Sequence, residues 1–164
     1  AVVDRNFVYT TNDWRFLRGG AAASGIQLAN EWTAFPCLLN RITVSNNVVV
    51  GGRGNFVYGS YEAGGGLKNV TVANNTFVGG RDGAVLVDQD WGHANTVFVG
   101  NIVDQVGVGG TGVMFYGTNG SAALTFHHNL WSGVARGRVA GVGDVVGDPQ
   151  FVNRSATSAG GYQL

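Results

Sequence analysis

The chain is short of charge: only 12% of its 164 residues are Asp, Glu, Lys or Arg, and the formal net charge is zero. That is about half the usual charged share. Nucleic-acid and anionic-membrane binders carry a basic surplus, so the even balance argues against both partners. Cysteine is nearly missing, and Cys37 on its own excludes an intrachain disulfide. It sits in the apolar stretch "AFPCLLN" and reads as a core residue. Only two prolines accompany the 28 glycines, which excludes a collagen-like chain, and 45% hydrophobic content argues against disorder. No apolar run approaches the roughly 20 residues of a membrane-spanning helix, so no membrane insertion is expected.

What is present is a recurring phrase. "RITVSNNVVVGG" at 41–52 returns as "NVTVANNTFVGG" at 69–80. With the second Asn of the pair as anchor, apolar residues recur five and three before it and two after it. Five copies follow: Phe7, Tyr9, Asn12, Trp14; Ile42, Val44, Asn47, Val49; Val70, Val72, Asn75, Phe77; Thr96, Phe98, Asn101, Val103; and Leu124, Phe126, Asn129, Trp131. Thr96 alone breaks the apolar rule. Period-two alternation before each Asn predicts a short strand with one buried face.

A second register runs through Gly25, Gly54, Gly83, Gly112 and Gly141, each 29 residues after the last. The first four open further β-rich runs, "GIQLANEW", "GNFVYGSYE", "GAVLVDQDW" and "GVMFYGTN". A period in the high twenties, with several short strands and glycine turns per period, predicts an all-β solenoid of about five coils. The whole chain, 1–164, reads as one such domain. Leucine-rich repeats need a leucine lattice and helical repeats a 3.6-residue period, and neither pattern is here. Asn at a turn tolerates the left-handed conformation, and stacked at about 4.8 Å its amide can bond the next Asn.

The "N-x-T-V-x-N-N-x-x-V" coils and this Asn ladder resemble the right-handed parallel β-helix of the pectin-lyase-like superfamily. The tail "GDPQFVN" (147–153) and "GGYQL" (160–164) is similar to the end region of bacterial members, where a Ser-Pro-Ala segment usually follows. Residues 1–14 already read as a coil, so the chain looks like a fragment cut at both ends. A solenoid cut in this way exposes Phe7, Tyr9 and Trp14, which predicts end-to-end or edge self-association. The resemblance implies a secreted or cell-surface protein. It does not imply one activity, because the superfamily holds lyases, hydrolases, epimerases, tailspikes and adhesins.

Aligning the second strands on their glycines gathers polar and aromatic residues at one end. Asn30, Gly59, Asp88 and Gly117 share one level, Trp32, Tyr61, Asp90 and Asn119 another, and Glu62 and Trp91 follow. Asp88 and Asp90, at i and i+2, share one strand face, and Glu62 lies one coil away. Carboxylates roughly 5–8 Å apart suit a hard-cation site or a paired-carboxylate glycosidase. Asp88, Asp90 and Glu62 are therefore the candidate catalytic residues. Trp32, Tyr61 and Trp91 are candidate stacking partners for sugar rings, with His93 and Asn119 as further substrate contacts. The bland alternative is a solvated turn face. His93 in such a place is more often a loop histidine, and Arg53, Arg81 and Lys68 are surface residues by default that would suit anionic sugars. In "HHN" at 127–129, His128 takes a turn or ladder position, and strand alternation should point His127 and His128 apart. Pectate-lyase-like calcium sites are not recognisable, nor are the "GHG" and "RIK" elements of polygalacturonases. No cofactor or metal is assigned. Two functions follow: a β-helix that engages polysaccharide, as part of a lyase or glycosidase, or a non-catalytic structural or adhesive stalk.

Overall fold

The computed structural model describes residues 1–10, 23–30, 39–60, 65–87, 92–116, 123–134, 139 and 141–164. Within them the chain forms a right-handed parallel β-helix whose strands, numbered in chain order, stack into three long sheets. The first sheet runs β1 (Val2–Asp4), β5 (Thr43–Ser45), β9 (Thr71–Ala73), β12 (Thr96–Val99) and β15 (Leu124–His127). The second runs β2 (Phe7–Tyr9), β6 (Val48–Val50), β10 (Thr76–Val78), β13 (Ile102–Asp104), β16 (Leu130–Ser132) and β17 (Val145–Val146). The third runs β3 (Ile26–Asn30), β7 (Gly54–Ser60), β11 (Gly83–Val87) and β14 (Thr111–Phe115). A small pair, β4 (Leu39–Asn40) and β8 (Leu67–Lys68), leads back towards the first sheet. No helix among the described residues is long and apolar enough to cross a membrane.

Each coil buries alternate side chains against the same positions of its neighbours. Val44, Val72, Phe98 and Phe126 stack in the first sheet, and Val49, Phe77, Val103 and Trp131 in the second. All are buried, as are Ile42, Val70 and Leu124. From the second coil on, the inward apolar set expected from the repeat is therefore observed; Trp14 of the first copy and Cys37 lie outside the described residues. Thr96 also points inward and is 2% exposed. Its hydroxyl lies 3.0 Å from the Leu67 carbonyl and 3.1 Å from that of Ala94, so the one polar break in the pattern has its proton taken by backbone.

The turn from first to second sheet repeats a two-residue device. A residue with positive φ comes first: Arg5, Asn46, Asn74, Gly100, His128 and Gly143. The ladder residue follows it. Asn6, Asn47, Asn75, Asn101 and Asn129 each donate backbone N–H and Nδ2 to the side-chain oxygen one rung on. The second Nδ2 proton of each rung from Asn47 onward goes to a backbone carbonyl, as from Asn75 to Val44 at 2.9 Å. The last acceptor is Asp144, not Asn. Its Oδ1 accepts from Asn129 N at 2.7 Å, and its Oδ2 accepts from Trp131 Nε1 and Gly141 N, each at 3.0 Å.

Three sequence expectations need correcting. The first coil is anchored on Asn6, so Val3 and Val8 pack against the core while Phe7 and Tyr9 point out. The phrase ending at Asn12 matched the spacing by accident. The glycine register also fails as a common level. Gly54 pairs with Gly83, but Ile26 pairs with Phe56 and Gly83 with Thr111, which shifts Gly25 and Gly112 by one residue each. Asn30 accordingly sits opposite Ser60 and not Gly59. The inward residues Ile26, Phe56, Val85 and Val113 set that register, because a slip of one would turn them to solvent. Gly141 opens no strand of the third sheet; a β-carbon there would overlap the Phe126 carbonyl oxygen.

The tail returns along the outside of the second sheet. Tyr162, Ala156 and Phe151 pack on the outward side chains of Phe7, Val48, Val50 and Val78. Arg154 fastens it, with Nε donating to Asp104 at 2.6 Å and Nη2 to Asp148 at 2.7 Å. These contacts hold the guanidinium charged, and the Gln150 N–H and Arg154 lower the Asp148 pKa. The Asp104 side chain is 1% exposed. Arg154→Ala would leave it one longer bond, from Val106 N at 3.3 Å. We expect a loss of about 2 kcal/mol in urea unfolding, below the full value for a buried pair because Arg154 is partly solvated, and a smaller loss for Arg154→Lys.

Candidate functional site

The candidate residues Glu62, Tyr61, Asp88, Asp90, Trp91, Trp32 and Asn119 lie outside the described residues. Their points of departure do not. They follow the C-terminal ends of β3, β7, β11 and β14, which lie side by side through Asn30↔Ser60, Tyr58↔Val87 and Val87↔Phe115. Strand after strand, the third sheet thus ends on the same side of the coil. The returning chain is close-packed where it re-enters the described coil. Gly92, at φ +61, passes so close to the Gly65 carbonyl that a β-carbon would come within 2.7 Å of it. The side chain of Lys68 reaches the same point.

His93 stands at this return and is not a solvent-facing loop side chain. It is 7% exposed, edge-on to Tyr58 with ring centroids 4.9 Å apart. Its Nδ1 accepts the Leu67 N–H at 3.0 Å, which places the proton of the neutral ring on Nε2. The Tyr58 hydroxyl accepts the Gly66 N–H at 2.6 Å. These bonds tie the core of the coil to the returning backbone at Gly66 and Leu67. With Nδ1 committed to backbone, acid–base chemistry of this ring would run through Nε2.

A second group lies across the outer face of the same sheet. Arg53 precedes β7 and Tyr116 follows β14, yet Arg53 Nη2 donates to the Tyr116 hydroxyl at 2.9 Å. Its Cζ is 5.6 Å from the Tyr116 ring centroid, within cation–π range. Arg53 Nε also donates to Asp82 at 3.1 Å, and Arg81 Nε to the other oxygen of Asp82 at 2.8 Å. The Arg81 hydrogen bond holds the Asp82 carboxyl below the usual range, with Arg53 adding to it, and Asp82 in turn raises Arg81. Beneath, the outward-facing Val57 and Leu86 are buried. Among the described residues, two guanidinium groups thus share the Asp82 carboxylate, with the Tyr116 ring beside Arg53. Arg53 and Arg81 were legible in the sequence as cations suited to anionic sugars. Asp82 and Tyr116 were not, although Asp82 stands 29 residues after Arg53, about one coil.

Among the described residues, no three His, Cys, Asp or Glu side chains cluster as a metal site would require. No protein family, characterised protein or solved structure matches the chain.

Proposed function

We propose that the chain is a secreted or cell-surface β-helix of the pectin-lyase-like kind that engages polysaccharide along its third sheet. The observation that carries this reading is the alignment of strand ends from which Tyr61, Glu62, Asp88, Asp90 and Trp91 depart, on the same sheet as the Arg53–Asp82–Arg81–Tyr116 group. Stacked coils repeat every 4.8 Å or so, and a surface of that kind suits a long repetitive polymer better than a compact ligand. The guanidinium groups favour acidic sugars through paired hydrogen bonds to carboxylate. In a lyase or glycosidase version, Asp88, Asp90 and Glu62 supply acid and base, and their spacing selects retention or inversion.

The test is binding and turnover of polygalacturonate against a neutral glucan of similar length. We expect Arg53→Ala/Arg81→Ala to weaken binding of the acidic polymer at least tenfold and leave the neutral one unchanged. We expect Asp88→Ala/Asp90→Ala to abolish chain shortening, read by size-exclusion chromatography, while binding persists. Identical behaviour of wild type and both variants would leave the stalk reading, which the unbroken Asn ladder and continuous core favour.

A further inference from the structure

His127 and His128 do not point apart. His127 closes β15 with its side chain outward, and His128 takes the positive-φ position of the ladder turn at φ 56. That left-handed residue breaks the strand alternation and swings the second ring back beside the first. The two Nδ1 atoms stand 3.0 Å apart on the surface, with the rings at 88°. The His128 ring is held from its other side. A β-carbon at Gly143 would fall 2.5 Å from its Cδ2 and 2.6 Å from its Nε2, so only glycine there leaves room for the ring.

We propose that this pair is a surface chelate for a divalent transition metal, with Cu²⁺ as the preferred ion. With metal–nitrogen bonds of about 2.0–2.1 Å, nitrogens 3.0 Å apart subtend an angle of roughly 95° at the metal. That is the cis angle of a tetragonal site and is narrower than the tetrahedral angle Zn²⁺ adopts. Small rotations about χ2, which is a broad torsion in histidine, aim both lone pairs at one point. Without metal, the same atoms share a single proton as one N–H···N bond. Copper also leads the affinity order for nitrogen ligands. No third His, Cys, Asp or Glu among the described residues joins the pair, so water completes the coordination and the site stays open to exchange. The chelate lies on a different edge of the solenoid from the third sheet and is independent of the polysaccharide reading.

The test is titration of Cu²⁺ into the 164-residue chain with glycine as competing chelator, followed by visible absorption and electron paramagnetic resonance. One equivalent with a tetragonal signal and nitrogen hyperfine coupling is expected. His128→Asn keeps the left-handed turn, as Asn46 and Asn74 do at the same position, and His127→Thr keeps a strand residue. Each is expected to weaken Cu²⁺ at least tenfold, and Zn²⁺ should not displace Cu²⁺ at equal concentration. Binding that survives either substitution unchanged would overturn the assignment, as would Zn²⁺ outcompeting Cu²⁺. In wild type, Cu²⁺ should protect His127 and His128 from diethylpyrocarbonate without changing the modification of His93. Absence of that protection would likewise refute the site, whatever the variants' folding.

Discussion

Truncating Phe98 to alanine is expected to destabilise the solenoid by about 4 kcal/mol, the largest effect of any single change considered. Phe98 is 1% exposed, stacked on Phe126 with centroids 4.5 Å apart and planes 8° from parallel. It also meets the edge of Phe56 at 5.4 Å. Removal therefore costs the transfer free energy of the ring, two aromatic contacts, and a cavity bounded by stacked coils that cannot close independently. Domains of this size are stable by only about 5–15 kcal/mol, so about a quarter or more of the total is at stake. Thermal unfolding should shift down by roughly 10 °C, given about 2–4 °C per kcal/mol at this length. Phe98→Leu keeps most of the volume and should cost under about 1.5 kcal/mol. If alanine and leucine behaved alike in urea or heat, the packing of the first sheet would be misread.

Asn75 is expected to rank next, at about 3 kcal/mol for Asn75→Ala. Its Oδ1 accepts Asn47 N at 3.0 Å and Asn47 Nδ2 at 2.8 Å, while its Nδ2 donates to Val44 O and Asn101 Oδ1. Alanine strands two Asn47 donors and takes a donor from Val44 O, although Asn101 Oδ1 keeps the Asn75 backbone N–H, and such groups cost about 1–3 kcal/mol apiece before water or relaxation recovers part of it. Asn75→Asp is the sharper measurement. It preserves the shape and both acceptor bonds but turns an oxygen towards the Val44 carbonyl and Asn101 Oδ1. At neutral pH it should be at least as damaging as alanine, although Asp144 occupies the final rung naturally. If the Asn75→Asp variant proved as stable as wild type, the ladder would be a matter of shape and not of hydrogen bonding.

Four of the coils were legible because their inward residues and ladder Asn keep fixed offsets that only one strand face satisfies. The first was missed because its left-handed position holds Arg5, where the next two coils carry Asn, and because Phe7, Tyr9 and Asn12 imitate the spacing. The ladder needs only its second residue to be Asn; the first has merely to tolerate positive φ, as Arg5, Gly100 and His128 do. Asp144 was hidden for the converse reason, although "VGD" repeats the dyad of Gly100–Asn101 with a carboxylate in place of the amide. The equal glycine spacing misled because register follows core-facing side chains, and glycine has none. Contacts such as Arg53 with Tyr116, 63 residues apart in sequence, depend on where long side chains lie across a sheet. No periodicity encodes that. The same holds for the histidine pair, whose approach depends on one left-handed residue.

The ladder also has a direction. Each rung gives two N–H groups forward and receives two from behind, so the row is a chain of amide dipoles with distinct ends. Asp144 takes protons from Asn129 but has no side-chain N–H to hand on. The aligned dipoles thus present their N–H end to the Asp144 carboxylate, where a charge-assisted acceptor holds the row more firmly than a neutral amide would.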